Sequence, residues 1–321
     1  MDSEGASRRF RRIAAIDIGT VTTRLLVADC DGVEVREVSR ITTVTHLGEG
    51  LRATGRLSAD GMQRVADVLT RFSEEIARTG AEVTHAIATS AARDAANSRD
   101  LVDAAAALGI SLRVIPGALE ARLSFAGATY GLDDDDILID DLGGGSTELV
   151  FGSAHDTDEG RLVDIEASRS VDVGSRRVLD AFLISDPPRT AELAAAAEWV
   201  AGEMRPFFEG LRDRPRTLIT LAGTGTTLSA ITQGLAVYDP ERVHKSVLSG
   251  ADVADLRAEL ATMSVERRRH VVGMDPARAD VIVAGALILE TIMALAGVDE
   301  TVVSEHDILY GIVLAGAAEL R

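Results

Sequence analysis

The chain has 321 residues, 46% hydrophobic and 26% charged, which is long enough for two globular cores and too rich in aliphatic side chains for a disordered segment. Aromatic residues make up only 3%, which argues against a base-stacking surface, and a net charge of −18 repels polyanions at long range, so nucleic acid is not an expected partner and any phosphate site must be local. The single cysteine, Cys30, excludes an internal disulfide and a cysteine-based zinc site, and the six histidines show no HxxxH pairing.

The polar, basic opening MDSEGASRRFRR carries no signal peptide, and the longest apolar stretch, Val281 to Leu289, is far short of the ~20 residues of a membrane span. A cytoplasmic protein without a membrane partner is therefore expected. Strands are predicted at Ile13 to Ile18, Leu25 to Cys30 and Val33 to Val38, the last two joined by a type I′ turn at Asp31-Gly32. From Ser58 the period changes: Met62, Val65, Leu69, Phe72 and Ile76 recur every three or four residues, an amphipathic helix capped by Ser58 and stopped by Gly80. A strand at Val83 to Ala88 then leads into a loop at Thr89 to Asp94. Ser98 is predicted to cap a short helix ending at Gly109, and a strand at Leu112 to Ile115 stops at Pro116-Gly117.

The second half resumes with strands at Ile137 to Asp141 and Thr147 to Phe151 around three consecutive glycines. A helix follows Thr190, and a strand at Leu218 to Leu221 enters the loop Ala222 to Thr227. Arg278 to Leu295 is apolar around most of its circumference, as a buried helix would be, and Asp307 to Ala315 forms a terminal helix. The alternation of helices and strands indicates an α/β protein, with a domain crossing near Gly127 to Asp134. The basic cluster Arg267, Arg268, Arg269 and His270 reads as a solvated helix face rather than a guide for polyanions.

The strongest local signal is Asp141-Leu142-Gly143-Gly144-Gly145-Ser146-Thr147-Glu148. Such a turn lets the main chain approach a ligand closely and aim N–H donors at phosphate oxygens, with Ser146 and Thr147 adding hydroxyls. Asp141, at the end of a buried strand, is placed to hold Mg²⁺ directly or through water. The segment superimposes without gaps on Asp17-Ile18-Gly19-Thr20-Val21-Thr22-Thr23-Arg24, so that Asp17 falls on Asp141, Gly19 on Gly143 and Thr22 on Ser146. We read this as an internal duplication of a phosphate turn. Arg24 offers a guanidinium that can fork onto phosphate oxygens. A third glycine turn, Gly223 and Thr224 within Ala222 to Thr227, is a weaker candidate, and Glu120 alone would do no more than favour a helix dipole.

Taken together, the two turns, ATSAARDA (Ala88 to Ala95), PGALEARLSF (Pro116 to Phe125), AGTGTT (Ala222 to Thr227), GMDPARADVIVAGALIL (Gly273 to Leu289) and VSEHDILYGI (Val303 to Ile312) resemble the exopolyphosphatase and guanosine pentaphosphate phosphohydrolase (Ppx/GppA) family. The likeness runs from about Ile13 to the C-terminus and is closest to the short actinobacterial form without a C-terminal HD-type region. It implies two ribonuclease-H-like domains of the actin, sugar-kinase and chaperone-ATPase superfamily flanking a cleft: residues 1–128, and residues 129–304, with a C-terminal helix at about 305–321 packing back on the first. It further implies hydrolysis of the terminal phosphate of inorganic polyphosphate. In that reading Glu120 is the catalytic base, Glu148 is a further catalytic carboxylate near the metal and nucleophile, and Asp141 and Asp17 stand at the metal (Mg²⁺, with Mn²⁺ as a substitute). Substrate would contact Gly19, Thr20, Thr22, Arg24, Arg93, Gly144, Gly145, Ser146, Thr147, Gly223 and Thr224. A homodimer is also implied.

One departure stands out: the family usually carries Asn-Ser where this chain has Val21-Thr22, which removes one side-chain donor from the first turn. Two rival readings follow, guanosine pentaphosphate as the substrate of the same site, and a non-catalytic sensor of polyphosphate or nucleotide. Asp140-Asp141 is also more acidic than the usual single aspartate, which reads as a strand-end variation.

Overall fold

The computed structural model describes residues 9–157 and 160–318, and the far ends of the basic opening and of the terminal helix lie outside them. The chain divides into two compact units, one of residues 1–130, 156–162 and 307–321, the other of 131–155 and 163–306.

The first unit is built on a five-stranded sheet in the order β3-β2-β1-β4-β5. Its strands are β1 (Arg11–Ile18), β2 (Thr22–Cys30), β3 (Val35–Val44), β4 (Val83–Ala88) and β5 (Leu112–Val114). The first three form an antiparallel meander, and β4 and β5 join in parallel. β1 is apolar on both faces because both are covered. Ala14, Ile16 and Ile18 pack with Val65, Leu69 and Phe72 of the helix Ala59–Thr79, whereas Ile13 and Ala15 pack with Leu309, Ile312 and Val313 of the helix Ile308–Ala318. The long helix begins where predicted: Ser58 accepts from the amide of Gly61 at 3.0 Å, and Gly80 closes it with φ 72°.

The second unit repeats this topology in a six-stranded sheet, β10-β11-β9-β6-β7-β8. Here β6 (Asp134–Leu142), β7 (Thr147–Thr157) and β8 (Gly160–Val171) make the meander. β9 (Thr217–Leu221) pairs with β6 in parallel, and β11 (Glu300–Val303) follows β9 in parallel, with β10 (Val247–Ser249) antiparallel at the edge. Its core gathers Leu138, Leu149 and Phe151 with Ile282, Ala286 and Leu289 of the helix Ile282–Ala296, the apolar segment expected to be buried. Among the described residues no helix is long and apolar enough to cross a membrane.

Several local expectations are corrected. The β2–β3 connection is four residues long, with Asp31 Oδ1 accepting from the amides of Val33 and Glu34, so only Gly32 has positive φ and the turn is not type I′. Ser90–Asp94 is a short helix, and Ala222–Thr232 is helical from its first residue; both segments were read as loops because small polar residues show no apolar period. The helix Ser98–Ala107 has Asn97, not Ser98, at its N-cap. The Asn97 side chain does not cap it but exchanges hydrogen bonds with the backbone of Leu57. Arg268 is not part of a solvated face: it is buried and donates to the carbonyls of Leu260 and Ala279.

Candidate active site

The duplicated turns have the same backbone. In the first unit Asp17 is paired with Arg24 and Ile18 with Thr23, and the amide of Gly19 donates to the carbonyl of Thr22 at 2.9 Å. In the second unit Asp141 is paired with Glu148 and Leu142 with Thr147, and the amide of Gly143 donates to the carbonyl of Ser146 at 3.0 Å. The gapless superposition of the two sequences is therefore a superposition of strand register.

In the first unit, Asp17 is almost wholly buried and meets Arg24 through Nη2 at 2.6 Å and Nε at 3.1 Å. Arg24 Nη1 reaches Asp307 at 2.5 Å, at the start of the helix Ile308–Ala318. The fork that the sequence suggested for phosphate is thus turned on two carboxylates. Burial pushes the Asp17 carboxyl up, and Arg24 opposes it. Among the described residues Asp17 Oδ1, which is buried, has no hydrogen-bond partner.

The same unit brings Glu120 and Arg93 together. Glu120 lies in the first turn of the helix Gly117–Ala128 and accepts from Arg93 Nη1 at 2.7 Å. Arg93 ends the Ser90–Asp94 helix, whose Ser90 hydroxyl lies 2.9 Å from that of Thr20 in the glycine turn. Turn, short helix and glutamate form one chain of contacts. The Glu120 helix also crosses the Ile308–Ala318 helix at glycines: a Cβ on Gly127 would stand 1.8 Å from the Asp307 carbonyl oxygen, and one on Gly311 would stand 1.9 Å from that of Leu123. Thr22 is partly buried and Val21 is exposed.

In the second unit Glu148 Oε1 accepts from the hydroxyls of Ser146 at 2.8 Å and Ser170 at 2.7 Å. Thr147 does not present its hydroxyl to a ligand: the side chain is buried and donates to the carbonyl of Val173 at 2.7 Å. Thr224 is likewise buried against Gly285, where a Cβ would come within 2.4 Å of its hydroxyl, so its side chain serves helix packing. Gly223 is covered by the guanidinium of Arg278, which a Cβ there would overlap. Asp140 is no mere strand-end variation. It is fully buried, accepts from the Thr220 hydroxyl at 2.7 Å, and its carboxyl is pushed up to about 8 by that burial.

Among the described residues no group of three or more His, Cys, Asp or Glu is gathered closely enough to hold a metal ion on its own. Mg²⁺ does not need such a cage, since it takes one or two carboxylates and fills its shell with water and phosphate oxygens. The donors fit that mode. Asp141 and Glu148 stand opposite each other on adjacent strands at the end of the second turn.

Sequence reasoning missed Asp307, Ser170, Arg177 and Arg278. Asp307 meets Arg24 across 283 positions and Ser170 meets Glu148 across 22, with no local pattern to announce either contact.

Residues 26–315 match the model of the Ppx/GppA phosphatase family. The chain is 39% identical to Exopolyphosphatase 2 of Mycobacterium tuberculosis over 325 aligned positions, covering 95% of this chain and 98% of that one. Among solved structures it is similar to the Aquifex aeolicus Ppx/GppA family member, with a TM-score of 0.86 and 26% identity over 98% of this chain and 99% of that one. An exopolyphosphatase from Cytophaga hutchinsonii superimposes with a TM-score of 0.82 and 26% identity, over 97% and 99% of the two chains.

Proposed function

The chain belongs to the Ppx/GppA phosphatase family, and from that premise we propose that it is an exopolyphosphatase, releasing orthophosphate from the end of inorganic polyphosphate. The observation that carries the substrate is the 39% identity to Exopolyphosphatase 2 over nearly the full length of both chains. The duplicated glycine turns supply the phosphate-binding element that such a substrate requires.

In the reaction, the oxygen of a water bonds to the terminal phosphorus and its proton passes to Glu120. The bridging P–O bond breaks, and the leaving chain keeps the electron pair. Arg93 holds the Glu120 carboxylate in one orientation for that proton transfer. Amides of the Gly143–Gly145 turn and the Ser146 hydroxyl receive phosphoryl oxygens, so the protein contributes positioning and preorganised dipoles rather than covalent chemistry. Asp141, with Glu148 beside it on the next strand, would be the residue to hold Mg²⁺. When bound, the ion neutralises charge on the phosphoryl oxygens. Arg24 holds Asp17 rather than substrate.

The test is orthophosphate release from long-chain polyphosphate, run beside guanosine pentaphosphate. A higher kcat/KM on polyphosphate supports the reading, and a higher value on guanosine pentaphosphate replaces it with the nucleotide substrate. Polyphosphate binding without release by the wild type would instead identify a sensor. Glu120→Gln should bind polyphosphate normally while kcat falls about 10²- to 10⁴-fold, the usual weight of a general base. Undiminished release removes Glu120 from the mechanism. A homodimer is expected in sedimentation.

A further inference from the structure

The second glycine turn is gripped from behind. The helix Ser175–Phe182 starts just after β8 and spends its first three amides on the turn's carbonyls rather than on a ligand. Ser175 N donates to Gly143 O at 3.0 Å, and Arg176 N and Arg177 N donate to Gly144 O at 2.9 and 3.1 Å. Arg177 Nε takes Gly145 O at 2.9 Å, and its Nη2 is held by Asp172 at 3.0 Å. Three consecutive carbonyls, of Gly143, Gly144 and Gly145, are therefore all drawn to one side.

In a trans peptide the N–H points opposite to the C=O of the same plane. Fixing those three carbonyls fixes the amides of Gly144, Gly145 and Ser146 on the side away from the helix. Among the described residues these amides donate no hydrogen bond within the protein. A row of main-chain N–H groups facing one way is an anion-binding concavity, and its partial charges count most when nothing must reorganise at the moment of reaction. The approach also explains Gly174, the residue before the helix. Its backbone is extended, at φ −149° and ψ 160°, so the glycine is not needed for its dihedrals. It is needed for space: a Cβ there would lie 2.5 Å from the carbonyl carbon and oxygen of Gly144 and 2.6 Å from the carbonyl carbon of Gly145. Arg176 anchors the clamp to the segment before the helix Ile282–Ala296, through Asp280 at 2.6 Å.

The first turn has a counterpart. Gly48 N donates to Thr20 O, and Thr45 N and His46 N donate to Val21 O, at 2.8 to 2.9 Å. A glycine again stands at the closest approach, with a Cβ on Gly48 falling 2.3 Å from Thr20 Cγ2. The two gripping segments differ in structure, a loop in one unit and a helix in the other, yet both hold turn carbonyls and leave amides facing outward. Under that arrangement Val21 contributes its carbonyl to the grip and its side chain to solvent.

We infer that Gly174 and Arg177 are positioning residues for phosphate: they hold the Gly143–Gly145 carbonyls so that the amides of Gly144, Gly145 and Ser146 face the substrate. This rests on the exopolyphosphatase reading for its substrate, and its test is chosen to fail separately. Backbone amide resonances of the full-length wild type are followed on titration with inorganic pyrophosphate, and kcat and KM on polyphosphate are measured in parallel. The Gly144, Gly145 and Ser146 amides should shift in the wild type. Gly174→Ala should bind pyrophosphate at least about 10-fold more weakly and lose about 10²-fold in kcat, as expected when reacting groups are displaced by about 1 Å. Should Gly174→Ala fail to fold, the partly exposed Arg177→Gln becomes the deciding variant: about 10-fold lower kcat at unchanged Tm, partly restored in Arg177→Lys. Wild-type kcat and wild-type amide shifts in the folded variant would overturn the inference. So would amides of residues 144–146 that ignore pyrophosphate in the wild type. A wild type that shows the amide shifts but releases no phosphate sinks the hydrolase reading and leaves the clamp standing.

Discussion

The turn at residues 19–22 and the turn at residues 143–146 share register, hydrogen bonding and an aspartate at the end of the first strand, yet they sit in opposite electrostatic settings. Asp17 faces Arg24, which also binds Asp307, so that cluster supplies much of its own counter-charge. Asp141 faces Glu148, so a second carboxylate stands at the strand position that Arg24 takes in the first turn. One residue further back the contrast recurs, since Ile16 in the first unit corresponds to Asp140 in the second, and both are buried. A duplicated backbone has thus been kept while its charges diverged. The first copy has become an anchor that ties β1, β2 and the terminal helix together, and the second sets two carboxylates opposite each other at its glycine turn.

The largest effect should come from breaking the anchor. Arg24→Met strands Asp17 and Asp307 near each other in a poorly solvated place, and loss of one partner from a buried ion cluster costs about 3–5 kcal/mol. Urea denaturation should show that loss, and Asp17→Asn with Asp307→Asn on the same background should recover much of it. If Arg24→Met leaves the urea midpoint in place, the first turn is not an anchor.

Asp140 gives a pH signature confined to the second unit. Its carboxyl is pushed up to about 8 in the fold, whereas in the unfolded chain it titrates near about 4. The folded state therefore binds the proton more tightly. This stabilisation is complete below about pH 4, declines as pH rises, and is lost above about pH 8. Unfolding free energy should fall more steeply between about pH 5 and pH 9 in the wild type than in Asp140→Asn, which keeps a neutral group there. Equal slopes would mean that Asp140 is ionised in the fold.

The smallest effect belongs to the buried threonine that fastens each turn. Thr147→Val removes the hydrogen bond to the Val173 carbonyl, and Thr23→Val removes the one shared with Thr45. Each should cost about 1 kcal/mol in chemical denaturation, the net worth of such a bond. Unchanged midpoints would show that strand pairing alone sets the turns.

The features legible in the sequence were those carried by local pattern. The 3.6-residue period and the Ser58 and Gly80 boundaries marked the helix Ala59–Thr79, and the gapless repeat located both turns to the residue. The helices Ser90–Asp94 and Ala222–Thr232 escaped because segments of small residues take their conformation from neighbours rather than from a period of their own. For the site, residue types pointed to phosphate as a class of ligand, but not to what each side chain touches. The fork of Arg24 faces carboxylates, the hydroxyls of Thr147 and Thr224 face the interior, and the grip of Gly174 and Arg177 on Gly143 to Gly145 spans some thirty positions. Contacts at that separation follow from strand order, which no short motif encodes.

That the Asp141 copy does the phosphate chemistry is tested most directly by orthophosphate release from long-chain polyphosphate as Mg²⁺ is raised from zero, for the wild type and Asp141→Asn. The wild type should release phosphate at a rate that climbs with Mg²⁺ to a plateau, and Asp141→Asn should fall by on the order of 10²-fold or more, in keeping with several kcal/mol of metal-assisted charge stabilisation. Release that ignores Mg²⁺ and is unchanged in Asp141→Asn would contradict it.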